Sequence, residues 1–350
     1  MDKNQSVNMN NTKPRVLFVN GFIYLPGEGG YKRTLYLFDM MRMMGYPVTL
    51  ITTDFNHYAK KRRDIEKFRS EYPDYSDIEF IHMPEYSKNI SIKRYFAEKQ
   101  WVDGFVKWLN NHIDEYDVIY HHMPGIDEIL ATKDIITKAG KKMIVDIRDL
   151  RPEALRVVFK KDWLYNLVTC RMKNRANKAY ACADEMIAVS QEYLDRGMSV
   201  NSKSKDPVAV YIGSILDKFD NGIHKYSNSI EKPESEIWVT YAGTLGASYD
   251  LYTLLDVAKR IQTDNKYNVK FKILGQGPDK ESLMQYSVRL ELSNTDFVGF
   301  VEYEKMAAYL NKSDLTVNSL KRRGSQSIIN KVADYFAAGI PCLNGSVCKE

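Results

Sequence analysis

Short apolar, β-branched runs alternate along this chain with longer stretches in which apolar residues recur every three or four positions. The first pattern is typical of buried strands and the second of amphipathic helices. Their alternation predicts βαβ units, and therefore an α/β fold with parallel sheets covered by helices on both faces. In the first half the predicted strands are residues 16–20, 48–52, 79–82, 118–121, 143–146, 186–189 and 208–212, and the predicted helices are 31–44, 92–115, 126–138 and 152–182.

A polar break interrupts this pattern at residues 217–236, which contain Asn221-Gly222 and Pro233 and lack an evident apolar period. The break predicts a linker or surface loop between two domains. The expected domains are residues 14–216 and 237–350, after a disordered tail at residues 1–13. Two doubly wound domains would hold a ligand in the cleft between them, at the carboxyl ends of the strands. The second domain's predicted strands are 237–242, 269–274, 296–300, 315–318 and 340–343, and its predicted helices are 251–262, 279–286, 303–311 and a short run ending at Gly339.

Composition narrows the possible classes of protein. A chain of 350 residues is long enough for two domains, and its net charge of +5 suits anionic substrates or an anionic membrane surface. No basic motif interleaved with aromatics indicates nucleic-acid binding. The four cysteines form no C-x-x-C pair and no zinc spacing, which fits a reducing cytosol. Without a signal region or an apolar run of 18 residues, the chain is expected to be cytoplasmic.

The segment from residue 324 to residue 345, GSQSIINKVADYFAAGIPCLNG, carries the strongest chemical signal. Small and polar residues lead into a helix that starts near Lys331 and ends at Gly339. A helix N-terminus presents free N–H groups and about half a positive charge, so it favours a phosphate. A lysine at this position would add a full charge. The segment therefore predicts a phosphate-binding site.

The segment resembles the nucleotide-sugar site of retaining GT-B glycosyltransferases of the large family 4 type, which build bacterial capsule, O-antigen and exopolysaccharide. The corresponding sequence motif of the family is roughly N/S-K-x-x-E-Y-x-A-A-G-x-P-V-I. Asp334 stands where glutamate is usual, and Gln326 replaces the first glutamate of the family's E-x7-E pair. The matching residues are Lys331, Tyr335, Ala337, Ala338, Gly339 and Pro341.

The resemblance implies a role for each matched position. Lys331 and the helix after Ser327 would hold the departing diphosphate, Asp334 would hold the ribose, and Gln326 would keep a hydrogen bond without charge. Together with His122, Lys331 and Asp334 form the expected catalytic set. The further donor contacts expected on this loop are Arg323, Gln326, Ser327, Ile329 and Asn330.

Three weaker signals lie in the first half of the chain. Gly29-Gly30 follows the first strand, and the resemblance implies that this loop lies under the donor phosphates and beside the acceptor, with a flexible turn as the alternative. His121-His122 ends a predicted strand, where the resemblance implies a histidine that contacts the sugar. The alternation of the strand favours His122 for this role, with a purely structural role as the alternative. Asp149 belongs to a charged D-x-x-D-L-R-P segment and could bind an acceptor hydroxyl, although an internal ion-pair network fits equally well.

In the second half, the turn at Gly243-Thr244 lacks the Arg and Lys with which many relatives grip the diphosphate. Lys331 is then the first candidate to neutralise it, followed by the run from Lys321 to Arg323, for which a solvated loop is the alternative. The Gly275-Gln276-Gly277-Pro278 turn leaves a strand end open. Backbone groups at Phe300-Val301 would read the base, although core packing is the more ordinary role for Phe300.

The resemblance implies that the donor is a UDP-linked sugar and that the acceptor is a glycan or is linked to polyprenyl diphosphate. The sequence contains no D-x-D, so we expect no obligatory metal.

A basic amphipathic stretch at residues 155–178 could contact an anionic membrane at the inner face of the plasma membrane, or simply be a solvated helix face. The family normally continues for several helices beyond the position of Glu350. The alternatives are an epimerase of the same fold and a catalytically silent nucleotide-sugar-binding subunit.

Overall fold

The computed structural model of the chain describes residues 13–30, 32–159, 161–321 and 330–345. The chain divides into two compact units, Met1–Arg151 with Cys170–Ala209, and Pro152–Thr169 with Val210–Glu350. Each unit contains its own parallel sheet, so the predicted α/β class with two doubly wound domains is confirmed. The boundaries differ from the predicted ones, because residues 152–169 group with the second unit. Of the predicted tail, only Lys13 lies within the described residues.

The first unit is built on a seven-stranded parallel sheet and carries a small two-stranded hairpin. Its strands are β1 (Val16–Val19), β2 (Val48–Thr53), β3 (Phe55–Asn56), β4 (Lys61–Arg62), β5 (Ile78–Ile81), β6 (Val118–Met123), β7 (Lys142–Ile147), β8 (Glu185–Ala188) and β9 (Val208–Ala209). Its helices are α1 (Arg33–Met43), α2 (Ile65–Glu71), α3 (Ile92–His112), α4 (Ile126–Lys138), α6 (Gln191–Met198) and part of α5 (Asp162–Cys182), which crosses the boundary between the units.

The strand order of this sheet is β5-β2-β1-β6-β7-β8-β9. The chain therefore builds outward in opposite directions from the pair β1 and β6, which makes their carboxyl ends the switch point where such folds bind ligands. All four residues of β1 are buried, and Phe18 on it packs against Phe38 of α1 and Tyr120 of β6. The apolar run that predicted this strand is thus the centre of the unit's core.

The second unit repeats the design with five parallel strands in the order β12-β11-β10-β13-β14. Its switch point lies between β10 and β13, which pair directly. Its strands are β10 (Ile237–Ala242), β11 (Val269–Leu274), β12 (Thr295–Gly299), β13 (Leu315–Asn318) and β14 (Cys342–Asn344), and its helices are α7 (Leu216–Tyr226), α8 (Leu251–Asp264), α9 (Lys280–Arg289), α10 (Tyr303–Asn311) and α11 (Asn330–Ala337).

The predicted linker at residues 217–236 is wrong over its first half, which forms helix α7 and then a 3-10 turn. Phe219 is fully buried, and Gly222 lies so close to α10 that an added Cβ would come within 2.5 Å of the Glu304 Cα. Phe219, Gly222 and Ile223 do recur at helical spacing. These three apolar positions are few and one of them is a glycine, so the sequence pattern does not reveal a helical period.

Three other expectations need correction. The predicted helix 152–182 is a 3-10 stretch, Glu153–Val158, followed by α5, and the strand predicted at 208–212 contains only the two residues of β9. The pattern also missed α2, α6 and the hairpin of β3 and β4. These elements have two to eight residues, which is too short for a period to be evident.

Candidate functional site

Three neighbouring strands of the second unit are followed or closed by a glycine at their carboxyl ends, at Gly243, Gly275 and Gly299. The N–H of Gly243 donates to the Leu274 carbonyl at 2.9 Å, and that of Gly275 donates to the Gly299 carbonyl at 2.7 Å. A Cβ on Gly275 would lie 1.8 Å from the Gly243 oxygen. The turns are therefore too close for a side chain, and bare backbone forms this end of the sheet.

The following residues hold the two turns in register. The Leu245 N–H donates to the Gln276 carbonyl at 2.9 Å, and the Asp279 N–H donates to the Leu245 carbonyl at 3.0 Å. A Cβ on Gly277 would lie 2.1 Å from that same carbonyl oxygen. Thr244, between the two glycine turns, remains exposed. The G-x-G-P signal in the sequence thus reflects a backbone packing requirement, and it leaves Thr244 accessible to a ligand.

Lys331 lies at this end of the sheet. Its Nζ donates to the Tyr241 hydroxyl at 2.9 Å and lies 4.1 Å from the centre of that ring and 3.7 Å from the centre of the Tyr249 ring. A Cβ on Gly243 would come within 2.6 Å of Nζ. The ammonium group is therefore held beside the glycine that follows β10, between two aromatic rings that attract a cation through their faces.

Burial lowers the pKa of Lys331 to about 7, because the surrounding rings replace water around the ammonium group. Among the residues that the structure describes, no carboxylate pairs with this lysine. The sequence suggested a lysine that adds a full charge, and the structure corrects this to a half-buried group whose pKa lies near neutral pH. An anion bound here would supply the missing countercharge and favour the protonated form.

Helix α11 is anchored so that this lysine reaches β10. Tyr335, one turn after Lys331, is fully buried, and its hydroxyl accepts a hydrogen bond from the Ala242 N–H at 3.0 Å. The same hydroxyl lies 3.4 Å from the Val317 carbonyl oxygen of β13. The tyrosine therefore ties α11 to both strands of the switch point, and residues four apart on a helix share a face. This is the physical basis of the K-x-x-x-Y spacing.

Asp334, on the same helix, is held by two hydroxyl groups. Ser214 donates to its Oδ1 at 2.6 Å and Tyr303 donates to the same oxygen at 2.8 Å, so Oδ2 takes part in neither bond. Burial raises the pKa of this carboxyl, although the two hydroxyls act in the opposite direction. The ribose role of Asp334 stays a prediction, and these contacts show how its orientation is set.

Phe300 and Val301 leave the sheet immediately after β12. Phe300 is 72% exposed, so the expectation that it packs in the core is wrong. Val301 instead packs at the edge of the cluster formed by Phe219 and Leu274. The exposed ring follows the strand end, where the chain has already left the sheet and none of the described elements covers it.

Part of the predicted donor loop lies outside the residues that the structure describes. Arg323, Gln326, Ser327 and Ile329 lie outside the described residues, and Asn330 is the first residue of α11. On the described side of the gap, the Lys321 N–H donates to the Ser248 carbonyl at 3.1 Å. The roles expected for the loop therefore stay predictions.

The two adjacent histidines of the first unit point to opposite faces of β6, as the alternation of the strand predicts. His121 is buried beside Thr132, and burial lowers its pKa to about 3. The Nδ1 of His122 donates to the Val19 carbonyl at 3.0 Å, across the switch point of the sheet. Burial and then the Arg148 guanidinium lower the pKa of His122 to about 4. His122 is thus neutral at pH 7, with its lone pair on Nε2.

The charged segment after β7 is partly an internal network. Asp146 is fully buried and pairs with Arg33 at 3.3 Å and with Arg148 at 2.9 Å. Burial alone would raise the pKa of this carboxyl, but Arg148 and Arg33 hold it below its ordinary value. The ion-pair alternative therefore describes Asp146. Asp149 lies three residues further on and is half-buried, and its acceptor role stays a prediction.

The two glycines of the loop after β1 differ in how much space a side chain would have at each position. A Cβ on Gly30 would lie 2.3 Å from the Tyr24 ring, and its φ of 125° is one that other residues rarely adopt. A Cβ on Gly29 would meet nothing within 4 Å. Gly30 is therefore required by packing, whereas Gly29 leaves open space next to the backbone.

Several residues of the site were not identified from the sequence. Tyr241 and Tyr249 enclose Lys331, and Ser214 and Tyr303 hold Asp334. Tyr241 belongs to the predicted strand 237–242, whose pattern does not distinguish it from a core residue. Within the described ranges, no group of three or more His, Cys, Asp or Glu residues could hold a metal ion. None of the helices in these ranges is long and apolar enough to cross a membrane.

The family model that matches this chain covers residues of the second unit. Residues 236–350 match the family described as "Glycosyl transferases group 1". Among curated proteins, WcaI of Escherichia coli (strain K12), by name a colanic acid biosynthesis glycosyl transferase, is 20% identical over 161 residues. That match covers 45% of this chain and 39% of WcaI, so the chain spans about two fifths of the length of this relative.

Solved structures resemble a larger share of the chain. Anabaena Alr3699/HepE, crystallised with UDP and glucose, has a TM-score of 0.60 at 15% identity, covering 94% of this chain and 80% of its own. WaaG, a glycosyltransferase involved in lipopolysaccharide biosynthesis, has a TM-score of 0.63 at 15% identity, covering 95% and 81%. At such low identity these likenesses show the fold alone: the chain has a GT-B-like fold with two Rossmann-like domains, and the group 1 glycosyl transferase match lies in the second.

Proposed function

We propose that this chain is a retaining glycosyltransferase that moves a hexosyl or N-acetylhexosaminyl group from a UDP-sugar to a glycan or polyprenyl-diphosphate-linked acceptor in the biosynthesis of a surface polysaccharide. One observation carries the proposal. Lys331, a half-buried lysine that pairs with no carboxylate among the described residues, lies beside Gly243 at the switch point of the unit that matches the group 1 family.

The donor diphosphate fits this place for electrostatic reasons. Close approach of a phosphate requires backbone without side chains, which the glycine turns at Gly243 and Gly275 supply. It also requires positive charge, and a lysine that has lost its water interacts strongly with an anion because the local dielectric constant is low. Lys331 meets both conditions. The helix that begins at Asn330 adds the positive end of its dipole.

The remaining donor contacts follow from exposure and position. HepE is a structural neighbour with UDP and glucose in its crystal structure, and we take UDP as the nucleotide on that analogy. Phe300 offers an exposed ring to a base, and Asp334 offers Oδ2 to ribose hydroxyls. Gly275, Val301 and the loop residues Arg323, Gln326, Ser327 and Ile329 complete the proposed donor set.

The proposed chemistry depends on stabilising the leaving group. As the glycosidic bond breaks, negative charge grows on the UDP diphosphate, and protonated Lys331 stabilises it. His122 is neutral and presents a lone pair on Nε2, so it can accept a hydrogen bond from a sugar hydroxyl but cannot repel a cationic transition state. Gly29, Gly30 and Asp149 are proposed on the acceptor side. No metal is required in this scheme.

The test is UDP binding followed by turnover. We expect calorimetry to detect UDP binding, with the same affinity in the presence of a chelator. Incubation with a panel of nucleotide sugars should then release UDP from one of them when acceptor lipid is added. Binding that disappears in chelator would contradict the metal-independent site, and the absence of UDP binding would refute the proposal as a whole.

The alternatives give different products. An epimerase would change the sugar of the donor without any acceptor, which proton NMR of the nucleotide sugar detects. A silent binding subunit would bind UDP and turn over no donor. A glycosyltransferase that uses nucleotide sugars is expected in the cytoplasm, where these donors are found. Fractionation of the native cell tests this localisation.

A further inference from the structure

Helix α5 presents a continuous apolar and basic surface to solvent. Trp163 is 62% exposed, Leu164 38% and Leu167 66%, and Arg171 and Lys178 are exposed further along the helix. Successive residues on a helix are about 100° apart, so all five lie within roughly 60° of the direction of Leu167. We call these five residues the α5 outer face.

The opposite side of α5 is buried. Tyr165 and Thr169 are buried in the first turns, and Ala176 and Tyr180 in the last ones. The helix is therefore already packed on the side that its own fold requires. The outer face instead carries large apolar side chains that are partly or mostly exposed to water.

The charge on α5 is nearly all of one sign. Its only acidic residue, Asp162, is at the N-terminus and pairs with Arg156. Arg175 pairs with Asp127 of α4. In the part of the chain that the structure describes, no ion pair involves the three other cations of the helix, which are Arg171, Lys173 and Lys178.

We propose that the α5 outer face docks this protein on an anionic phospholipid bilayer. Trp163, Leu164 and Leu167 occupy the first turns and would enter the boundary between headgroups and acyl chains, where tryptophan is favoured. Arg171 and Lys178 follow along the same face and would lie at the anionic headgroups. The apolar end and the cationic end thus match the two layers of such a surface.

The sign of the charge argues against a second copy of this chain as the occupant. Two outer faces brought together would bury Arg171 and Lys178 without any countercharge on the face, which is unfavourable where water is excluded. An anionic lipid surface supplies that countercharge. The proposal goes beyond the donor site and does not depend on which nucleotide or sugar is bound there.

Co-sedimentation of the full chain with vesicles tests the proposal. We expect binding to vesicles of phosphatidylglycerol and phosphatidylcholine, weaker binding as salt rises, and little binding to phosphatidylcholine alone. Trp163→Gln with Leu167→Gln should weaken binding at least about 10-fold, and so should Arg171→Gln with Lys178→Gln, since each cation contributes about fivefold.

Helix α3 provides a matched control. Tyr95 and Phe96 are 63% and 61% exposed, and Tyr95→Gln with Phe96→Gln removes as much exposed apolar surface without touching α5. This control should bind vesicles as the unmodified chain does. An equal loss in the control and in the α5 variant would overturn the proposal, because binding would then follow general hydrophobicity.

Tryptophan fluorescence supplies a second readout. The emission should shift to the blue on addition of anionic vesicles, and Trp163→Phe should abolish that shift while sedimentation with the vesicles persists. Thermal unfolding of each variant should match that of the unmodified chain, because all the changed side chains are exposed. Unchanged vesicle binding in both α5 variants would refute the proposal. A concentration-dependent dimer abolished by the same α5 substitutions would also refute it, since the face would then belong to self-association.

Discussion

The sharpest prediction concerns Lys331 and its change to methionine. Methionine has nearly the same length and is apolar, so Lys331→Met removes the charge and leaves the space between Tyr241 and Tyr249 filled. A hydrogen bond to a charged partner contributes about 1.5–3 kcal/mol. We therefore expect UDP affinity at pH 7 to fall roughly 10- to 100-fold, and donor turnover to fall by at least as much.

The pH dependence of UDP affinity carries more information than a single value. The pKa of Lys331 in the free protein is lowered to about 7. If the protonated form binds UDP 10- to 100-fold more tightly, linkage requires that the pKa in the complex be about 1–2 units higher. Affinity should then fall by about that same factor between about pH 6 and pH 10, with the steepest part of the fall above pH 7. At the upper end it should approach the affinity of the Lys331→Met variant.

Calorimetry with UDP at several pH values is the assay, and Lys331→Arg is the control. An arginine stays protonated throughout this window, so its affinity should remain level even if its absolute value differs. Burial raises the pKa of the two neighbouring tyrosines, and the Cys342 thiol also has a raised pKa, so none of them should titrate first. Buffers with different ionisation enthalpies should reveal proton uptake on binding near pH 8.

Stability supplies an independent check. Because the folded-state pKa of Lys331 lies below the ordinary value of 10.5, the lysine costs stability in full below about pH 7. That cost declines as the pH rises toward the unfolded value. Lys331→Met should therefore unfold at a higher temperature than the unmodified chain at pH 7, with a difference that shrinks at pH 9. UDP affinity within twofold of the original at pH 7, with no change in the pH profile, would show that Lys331 does not contact the diphosphate.

Three further predictions concern the fold and the base. Gly275→Ala should lower the free energy of unfolding by more than about 2 kcal/mol in chemical denaturation, since its Cβ would overlap a backbone oxygen, whereas Gly29→Ala should change it little. Asp146→Asn should cost about 3–5 kcal/mol at neutral pH because Arg33 stays buried and loses its partner charge; below the lowered pKa of Asp146 the original protein should lose the same stabilisation. Phe300→Ala should weaken UDP binding by about 1–3 kcal/mol with no shift in unfolding temperature, as expected for an exposed ring that stacks on a base.

The elements that the sequence determined are those whose local pattern agrees with their final environment. Strand β10 was predicted with its observed bounds, Ile237–Ala242, because a continuous apolar run buried on both faces needs no partner to be recognised. The turn at Gly275 was likewise evident, since a glycine after a buried strand marks a close approach of backbone. Lys331 and Tyr335 lie four positions apart in the predicted helix, a spacing that puts two residues on one helix face.

Tertiary structure decided whatever depends on neighbours distant in the chain. The state of Lys331 is set by Tyr241 and Tyr249, about 80–90 positions earlier, and no local pattern reports that burial lowers its pKa. Phe300 is an apolar residue that no described element covers, and Phe219 lies in a polar segment whose helix forms because α10 buries it. Propensity and spacing act within a few residues, whereas desolvation and packing depend on which surfaces the fold brings together.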